Sequence, residues 1–255
     1  MVFVFAIVLS FRSVWKSGHV SFGKKGLDIQ KGTMGPYRYL FYLGGVLLLI
    51  FLIGSVLSSP IINAKKYQKL MQVEERDFTA DIKEVDFNTI PLLDRDSAAI
   101  LGSRKMGSMV DMVSQFEVAD DYTQINVSGK PVRVTPLMYA SPIKWLTNQK
   151  NGIPAYIQID MTTQDTECVK LTEGIKYSES EMFNRYIWRH IRFRYPTYIF
   201  ADQIFFEIDD EGTPYWICPV KKFNIGLFGG VTVGRVVLCN AITGCLLYTS
   251  DAADD

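Results

Sequence analysis

The side chain best suited to acid–base chemistry in the C-terminal half of the chain is His190, which stands in "RYIWRHIRFRY". A nucleophile needs a neighbouring base, and histidine serves as one near neutral pH. A helical histidine among aromatic and basic residues is mostly a packed or surface residue. The acidic side chains lie at turns or in charge-mixed helices, not as the carboxylate pair of a glycosidase. We therefore predict no catalytic residue.

The patterns that bind metals, phosphates or cofactors are also missing from the sequence. The acidic turn at residues 209–211 lacks the D-x-D-x-D-G spacing of a calcium loop, and "GLFGGVTVG" lacks the Lys-Ser/Thr of a P-loop. No CxxC occurs, and cysteines in apolar, strand-like runs behave as small hydrophobic residues. The cysteines in such runs are Cys168, Cys218 and Cys239. We predict no metal site and no cofactor. With Cys245 of the C-terminal tail set aside, three cysteines remain, and this odd count argues against a closed disulfide framework.

The charge balance argues against a nucleic-acid partner. The chain has 27 Lys and Arg residues and 27 Asp and Glu residues, so its net charge is zero. Arginines and aromatic residues alternate between Arg185 and Tyr195, an arrangement that can stack on nucleic acid bases. A neutral chain does not supply the basic surface that such binding requires.

The elements that hold these residues begin with a membrane anchor. Residues 39–57, "YLFYLGGVLLLIFLIGSVL", carry no charge and lack the polar face of an amphipathic helix. A bilayer core takes about 20 apolar residues as a helix. We predict a transmembrane helix at about 39–57, preceded by a partial first helix at residues 1–11. The anchor as a whole spans residues 1–62.

The loop between these two helices predicts the orientation of the protein. It contains six Lys and Arg residues and a single acid, Asp28, and short basic loops stay in the cytoplasm. The region beyond the second helix should therefore lie outside the cytoplasm. We divide it into a stalk and linker, residues 63–100, and an α+β domain of antiparallel hairpins with packed helices, residues 101–244.

Local signals place several elements of this domain. We predict a helix that ends near Gly107, a hairpin turn at Ser128 and Gly129, and a helix capped by Ser141. A strand is predicted at residues 78–87 and a hairpin at residues 204–217. The pattern S-x-x-E at Ser178 predicts a capping box for a helix over residues 178–194, whose Phe183, Ile187 and Ile191 face the sheet. Two Gly-x-Pro strand segments, residues 151–171 and 211–244, indicate an internal repeat.

A helix, a Gly-x-Pro-aromatic strand and a strand ending in "NAITG", residues 240–244, resemble a PepSY-type module. Such modules end in an Asp-x-x-Thr-Gly-like turn, and Asn240 stands here in the place of the acid. The resemblance covers about residues 178–244, with a fainter echo at "DMTT", residues 160–163. The whole chain also resembles uncharacterised membrane proteins of Gram-positive anaerobes, some of which carry a colicin V production-type label. The resemblance implies an extracytoplasmic module that binds or inhibits other proteins.

The last residues, "CLLYTSDAADD" at 245–255, differ from the rest of the chain. Reverse translation of this segment resembles the mosaic end of a transposase-based sequencing-library adapter. We therefore expect residues 245–255 to be translated adapter, and the natural chain to continue beyond Gly244. Such segments are set aside before fold reasoning.

Together these features predict a protein of the bacterial cell envelope. We expect a non-catalytic binding or scaffolding protein in the cell membrane, with its C-terminal domain outside the cytoplasm. Its partners would be the lipid bilayer and an envelope protein or cell-wall component. The alternative is an envelope hydrolase whose active site lies partly in the sequence beyond Gly244.

Overall fold

The computed structural model describes residues 20–23, 26–29, 37–71, 75, 77 and 90–249. In this part the protein is α+β, with five α-helices and antiparallel sheets. The chain divides into two compact units. The N-terminal unit comprises residues 1–73 with 223–231, and the α+β unit comprises residues 74–222 with 232–255. The predicted first helix at residues 1–11 and the strand at residues 78–87 lie outside the described residues.

The N-terminal unit contains two consecutive helices. Helix α1 (Tyr37–Leu57) is followed by α2 (Pro60–Leu70), which Ser59 caps and Pro60 begins. Proline suits this first helical position because its missing N–H has no intrahelical partner there. No single helix in the described ranges is long and apolar enough to cross a membrane alone. Residues 42–57 and α2, which meet at a bend of 59°, satisfy that test together.

A short hairpin lies in the loop before α1, where the sequence indicated no regular structure. Strand β1 (Val20–Gly23) pairs antiparallel with β2 (Gly26–Ile29). Helix α2 enters the predicted stalk, residues 63–100, and ends at Leu70.

The first sheet of the α+β unit has five strands. They are β3 (Phe116–Val118), β4 (Thr123–Val127), β5 (Lys130–Tyr139), β6 (Ile153–Asp160) and β7 (Thr166–Ile175). The order is β3-β5-β6-β7, and β4 also pairs with β5. Helix α3 (Arg95–Gly107) precedes this sheet, and α4 (Pro142–Asn148) connects β5 to β6.

The second sheet follows helix α5 (Ile187–Arg194) and has four strands. They are β8 (Phe205–Ile208), β9 (Pro214–Ile225), β10 (Gly229–Asn240) and β11 (Leu246–Thr249), in the order β11-β10-β9-β8. Strand β11 lies in the segment that resembles adapter sequence. It pairs antiparallel with β10, from Cys239 opposite Leu246 to Val236 opposite Thr249.

Most of the local predictions in the α+β unit are confirmed. Helix α3 ends at Gly107, and the Ser141 hydroxyl caps α4 by accepting a hydrogen bond from Lys144 N. The turn between β4 and β5 consists of Ser128 and Gly129, both with positive φ, which a tight two-residue hairpin requires. The predicted hairpin at residues 204–217 is present as β8 and β9.

The predicted helix over residues 178–194 is wrong in its N-terminal half, because α5 begins only at Ile187. A 3₁₀ turn occupies Phe183–Arg185, and Phe183 has a φ of 53°, a value that no α-helix contains. The predicted capping box is also wrong. The Ser178 hydroxyl bonds to the Ser180 hydroxyl, and the buried Glu181 carboxylate accepts a hydrogen bond from the Tyr139 hydroxyl.

One hydrophobic core connects the two sheets and α5. The predicted core residues Ile187 and Ile191 are fully buried, whereas Phe183 is 68% exposed, contrary to prediction. Tyr156 of β6 lies 6.0 Å from Phe206 of β8, and the Phe206 ring meets Trp216 of β9 edge-on at 5.4 Å, measured between ring centroids. Side chains from both sheets therefore pack into a single interior.

Candidate functional site

A cleft of about 200 Å³ in the α+β unit is a candidate ligand-binding place. Four segments form it: the start of α3, the residues before β4, the segment that leads to α5, and the residues before β8. Its lining combines one cation, three acids, polar groups and aromatic rings. The lining residues are Arg95, Asp121, Tyr122, Thr123, Glu179, Asp202, Gln203, Ile204 and Phe205.

The charged groups of this cleft already have partners within the protein. The Arg95 guanidinium donates to the Asp120 carbonyl at 2.9 Å and lies 3.4 Å from the Asp121 carboxylate. Glu179 accepts a hydrogen bond of 2.7 Å from the Trp188 ring N–H, and Asp202 lies 2.8 Å from Lys221 Nζ. The cleft is therefore a preformed polar surface with a net acidic lining.

Tyr122 forms one wall of the cleft and turns its hydroxyl into the protein interior. The hydroxyl is buried against Gly102 of α3 and has no hydrogen-bond partner among the described residues. A Cβ atom at position 102 would collide with this oxygen, so glycine is required there for the ring to fit. Burial, with the nearby charge of Asp120, raises the pKa of Tyr122 to about 12. The phenol therefore remains neutral near pH 7.

A buried carboxylate lies beside the cleft, at Glu181. One of its oxygens accepts a hydrogen bond of 2.7 Å from the Tyr139 hydroxyl, and the other accepts one of 2.7 Å from the Trp145 ring N–H. Burial, and then the hydrogen bond to Glu181, raise the pKa of Tyr139 far above its usual value. Both carboxylate oxygens are satisfied by side chains, as a buried charge requires. This network holds β5, α4 and the segment before α5 together.

His190 lies away from the cleft, on α5. Its Nε2 atom is 2.9 Å from the Gly244 carbonyl oxygen, and its ring centroid is 4.6 Å from that of Tyr177. Within the described part of the chain, the hydrogen bond of this ring is to a backbone carbonyl and not to a nucleophile. The geometry is that of a packed histidine that holds the turn after β10.

The acidic turn at residues 209–211 uses its carboxylates to bind backbone. The Asp209 carboxylate accepts hydrogen bonds from the backbone N–H of Glu211 and of Thr213, at 3.1 and 2.7 Å. Asp210 accepts one of 2.8 Å from Ser128 N, in the turn between β4 and β5. Among the described residues, no group of three or more His, Cys, Asp and Glu side chains is arranged to hold a metal ion.

The cysteines that precede the tail are unpaired in the structure. Cys218 and Cys239 are completely buried, and burial raises the pKa of both thiols, to about 12 for Cys239. Cys168 is half-buried, and its pKa is also raised by burial. Reactivity follows the thiolate, so these groups are poor nucleophiles at neutral pH.

Two turns of the α+β unit have the same hydrogen-bond pattern, which the sequence indicated only in part. In the turn after β6, Asp160 Oδ1 accepts from the backbone N–H of Thr162 and Thr163 at 2.8 and 3.0 Å. In the turn after β10, Asn240 Oδ1 accepts from Ile242 and Thr243 at 3.0 and 2.9 Å. The two Asx turns therefore share one design, with an acid in the first and an amide in the second.

The backbone of these two turns also matches. Gln164 N donates to the Asp160 carbonyl and Gly244 N to the Asn240 carbonyl, both at 2.9 Å. Gln164 and Gly244 have positive φ values of 63° and 72°. Aligning the turns pairs β6 with β10, although the repeated Gly-x-Pro motif aligned β6 with β9. The turn, and not the Gly-x-Pro motif, marks the equivalent strands.

Comparisons with known proteins add no family to this geometry: no protein-family model, no curated protein and no solved structure matches the chain.

Proposed function

We propose that this protein is a membrane-anchored, extracytoplasmic binding or scaffolding protein of a bacterial cell envelope. The observation that carries the proposal is the surface of α1. Large apolar side chains from Leu43 to Leu57 are about half exposed on every face of this helix. A helix that is apolar all round belongs in a protein core or in a bilayer, and the residues that the structure describes form no such core around α1. The basic loop that precedes α1 favours the cytoplasm for that side.

The cleft lined by Arg95, Asp121 and Glu179 is the place where we propose that a partner binds. Its polar groups are fixed by internal hydrogen bonds and ion pairs, so the surface is formed before a ligand arrives. Its walls combine aromatic and charged groups, the residue types that are enriched in binding surfaces. The matching turns at Asp160 and Asn240 support the resemblance to PepSY-type modules, from which a binding or inhibitory role follows.

The orientation can be tested by cysteine labelling of intact cells. Single cysteines replace Ser17 and Ser128 in a variant whose Cys168 and Cys245 are changed to serine, so that only the new thiol is accessible. We expect an impermeant maleimide to label Ser128→Cys and to leave Ser17→Cys unlabelled until the membrane is opened. The reverse pattern, or protection of both positions, contradicts the proposed location.

The binding role can be tested by photocrosslinking from the cleft. A benzophenone side chain at Gln203 lies in the lining of the cleft, and the same group at Asn126, an exposed residue of β4, is the matched control. We expect illumination of intact cells to give a discrete adduct from position 203 and none from position 126. Equal yields at both positions, or no adduct at either, would mean that the cleft is not the binding place.

A further inference from the structure

The connection between β9 and β10 has an unusual composition for a hairpin that faces water. Residues 223–234, "FNIGLFGGVTVG", form an uncharged run between Lys222 and Arg235. Exposed hairpin turns are normally built from polar residues such as Asn, Asp and Ser. Here the tip, residues 226–230, consists of glycines, Leu227 and Phe228. The N-terminal unit contains this tip together with α1 and α2.

The tip is held at the break between α1 and α2 by hydrogen bonds. The buried Ser58 hydroxyl oxygen accepts from Leu227 N at 3.1 Å and from Phe228 N at 3.2 Å. The Tyr67 hydroxyl accepts from Gly230 N at 3.1 Å and donates to the Ser58 carbonyl at 2.8 Å. Asn224 Nδ2 donates to the Gly230 carbonyl at 2.8 Å. Backbone groups that a solvated turn would leave to water therefore have partners within the protein.

Close packing along α1 accompanies these bonds. The Phe228 ring lies 5.5 Å from that of Phe51, measured between centroids. A Cβ atom at Gly54 would lie 2.8 Å from Phe228 Cε2, so glycine allows the ring to approach the helix. The outer sides of the tip remain open, since Leu227 is 58% and Phe228 42% exposed. The apolar surface of α1 thus continues onto the tip without a charged group between them.

The position of this contact along α1 defines its depth. Phe51 precedes Leu57, the last residue of α1, by six positions. With a rise of about 1.5 Å per residue, the Phe228 ring lies about 9 Å from the end of the helix toward its middle. If α1 spans the bilayer and ends at its surface, a depth of about 9 Å places the Phe228 ring among the acyl chains.

We infer that the tip, residues 226–230, is inserted into the acyl-chain region of the leaflet in which α1 ends, as a second lipid contact of the protein. This inference rests on the membrane anchoring proposed above. Lipid is favoured over a protein partner because acyl chains accept no hydrogen bonds, so backbone in lipid must be satisfied internally. The bonds to Ser58 and Tyr67 do this for three N–H groups of the tip, those of Leu227, Phe228 and Gly230. Its exposed side chains are aliphatic and aromatic, which acyl chains solvate well.

Depth-dependent fluorescence quenching can test the insertion. The full chain, with Cys168 and Cys245 changed to serine, is reconstituted in phosphatidylcholine–phosphatidylglycerol vesicles. An environment-sensitive NBD probe is attached to Leu227→Cys, to Leu47→Cys in the middle of α1, about 15 Å from its end, or to Ser128→Cys in the exposed turn of the α+β unit. Nitroxide lipids carry the quencher at either a shallow or a deep acyl position.

We expect the probe at position 227 to emit at shorter wavelength than the probe at 128, and to be quenched several-fold more by the shallow nitroxide than by the deep one. The probe at position 47 should prefer the deep nitroxide. If position 227 behaves like 128 while position 47 is quenched, the insertion is refuted and the anchor stands. If position 47 is not quenched either, the anchor fails and the insertion with it. A blue-shifted but unquenched probe at 227 would mean that protein, and not lipid, covers the tip.

Discussion

The two β-meanders of the protein, β4–β7 and β8–β11, have the same order of strands and differ in one connection. Each begins with a hairpin, continues with a third strand, and reaches a fourth strand through an Asx turn, at Asp160 or Asn240. The second and third strands are connected by α4 in the first meander. In the second they are connected by the uncharged tip at residues 226–230.

The two connections differ in what they contact. Helix α4 carries Trp145, which binds the buried Glu181 and so ties its connection to the core. The tip instead belongs to the N-terminal unit, where Ser58 and Tyr67 hold it. The turns that close the meanders are alike because they satisfy local backbone, whereas the connections differ because each serves its own neighbours.

The largest effect is expected from the core that the two meanders share. Ile187→Ala removes a fully buried side chain and should lower the free energy of unfolding by about 2–5 kcal/mol. Hydrogen exchange of the full chain in detergent should show faster exchange in both meanders, because they pack into one interior. His190→Ala, on the partly exposed side of the same helix, is the control and should cost less. Faster exchange confined to one meander would show that they are independent.

The second largest effect is expected from the hydrogen bonds that hold the tip, which is the connection between β9 and β10. Ser58→Ala removes the acceptor of two backbone N–H groups, and leaving buried donors unpaired costs about 1–3 kcal/mol. We expect the tip to detach, so that the probe at Leu227→Cys loses its quenching by lipid nitroxides. Ser55→Ala, at an exposed position of α1 three residues earlier, is the neighbouring control. Unchanged quenching in Ser58→Ala would mean that the tip does not depend on these bonds.

A smaller effect is expected in the pH dependence of the unfolding free energy, which compares the Asx turns at Asp160 and Asn240. The hydrogen bond from the Thr162 hydroxyl, chiefly, lowers the pKa of Asp160. The stabilisation is therefore present above the pKa of the unfolded chain, about 4, and is lost as pH falls through the lower folded value. Because the carboxylate is partly exposed and solvent screens its interactions, we expect a contribution below about 1 kcal/mol.

Reciprocal exchange isolates this contribution. Asp160→Asn should remove part of the acid sensitivity of the unfolding free energy. Asn240→Asp should add a smaller part to the second turn, because Ile242 stands there in the place of Thr162 and has no hydroxyl to donate. Acid titrations of stability, followed by circular dichroism, would compare both variants with the parent chain. Identical titration curves for all three proteins would contradict the proposed equivalence of the turns.

The smallest effect concerns the fourth strand of the second meander. Deletion of residues 245–255 removes β11, an edge strand whose Leu247 and Tyr248 are more than half exposed. We expect the free energy of unfolding to fall by less than about 1 kcal/mol, the scale of a typical damaging substitution. A larger loss in thermal unfolding would show that this segment is an integral strand, against its resemblance to adapter sequence.

The sequence predicts the elements whose signals are local. Ser141 and Pro142 start α4, and Ser128 with Gly129 turns β4 into β5, because these residue types satisfy or restrict the backbone next to them. The same reasoning misread residues 178–186, because Glu181 bonds to Tyr139 and Trp145, far away in the chain. Tertiary burial there overrides a local capping pattern.

The candidate cleft and the docking of the tip could not be predicted from the sequence, because both depend on residues that are far apart in the chain. The cleft assembles side chains from residues 95 to 205, and no short motif records that arrangement. The contact between Ser58 and Phe228 bridges 170 positions of the chain. The uncharged run at residues 223–234 is visible in the sequence, but no motif in it indicates where the tip docks.

The buried carboxylate of Glu181 has a consequence for the kinetics of folding. It joins Tyr139 and Trp145 from positions 42 and 36 residues away, so its charge is satisfied only after three separate segments have met. A contact between residues that are far apart in the sequence requires closure of a long loop, and the entropy lost in that closure slows folding. We therefore expect Trp145→Phe to accelerate unfolding more than it slows folding, since a bond formed after the rate-limiting step stabilises only the native side of the barrier. Stopped-flow measurements that found the opposite partition would place this carboxylate in the folding nucleus.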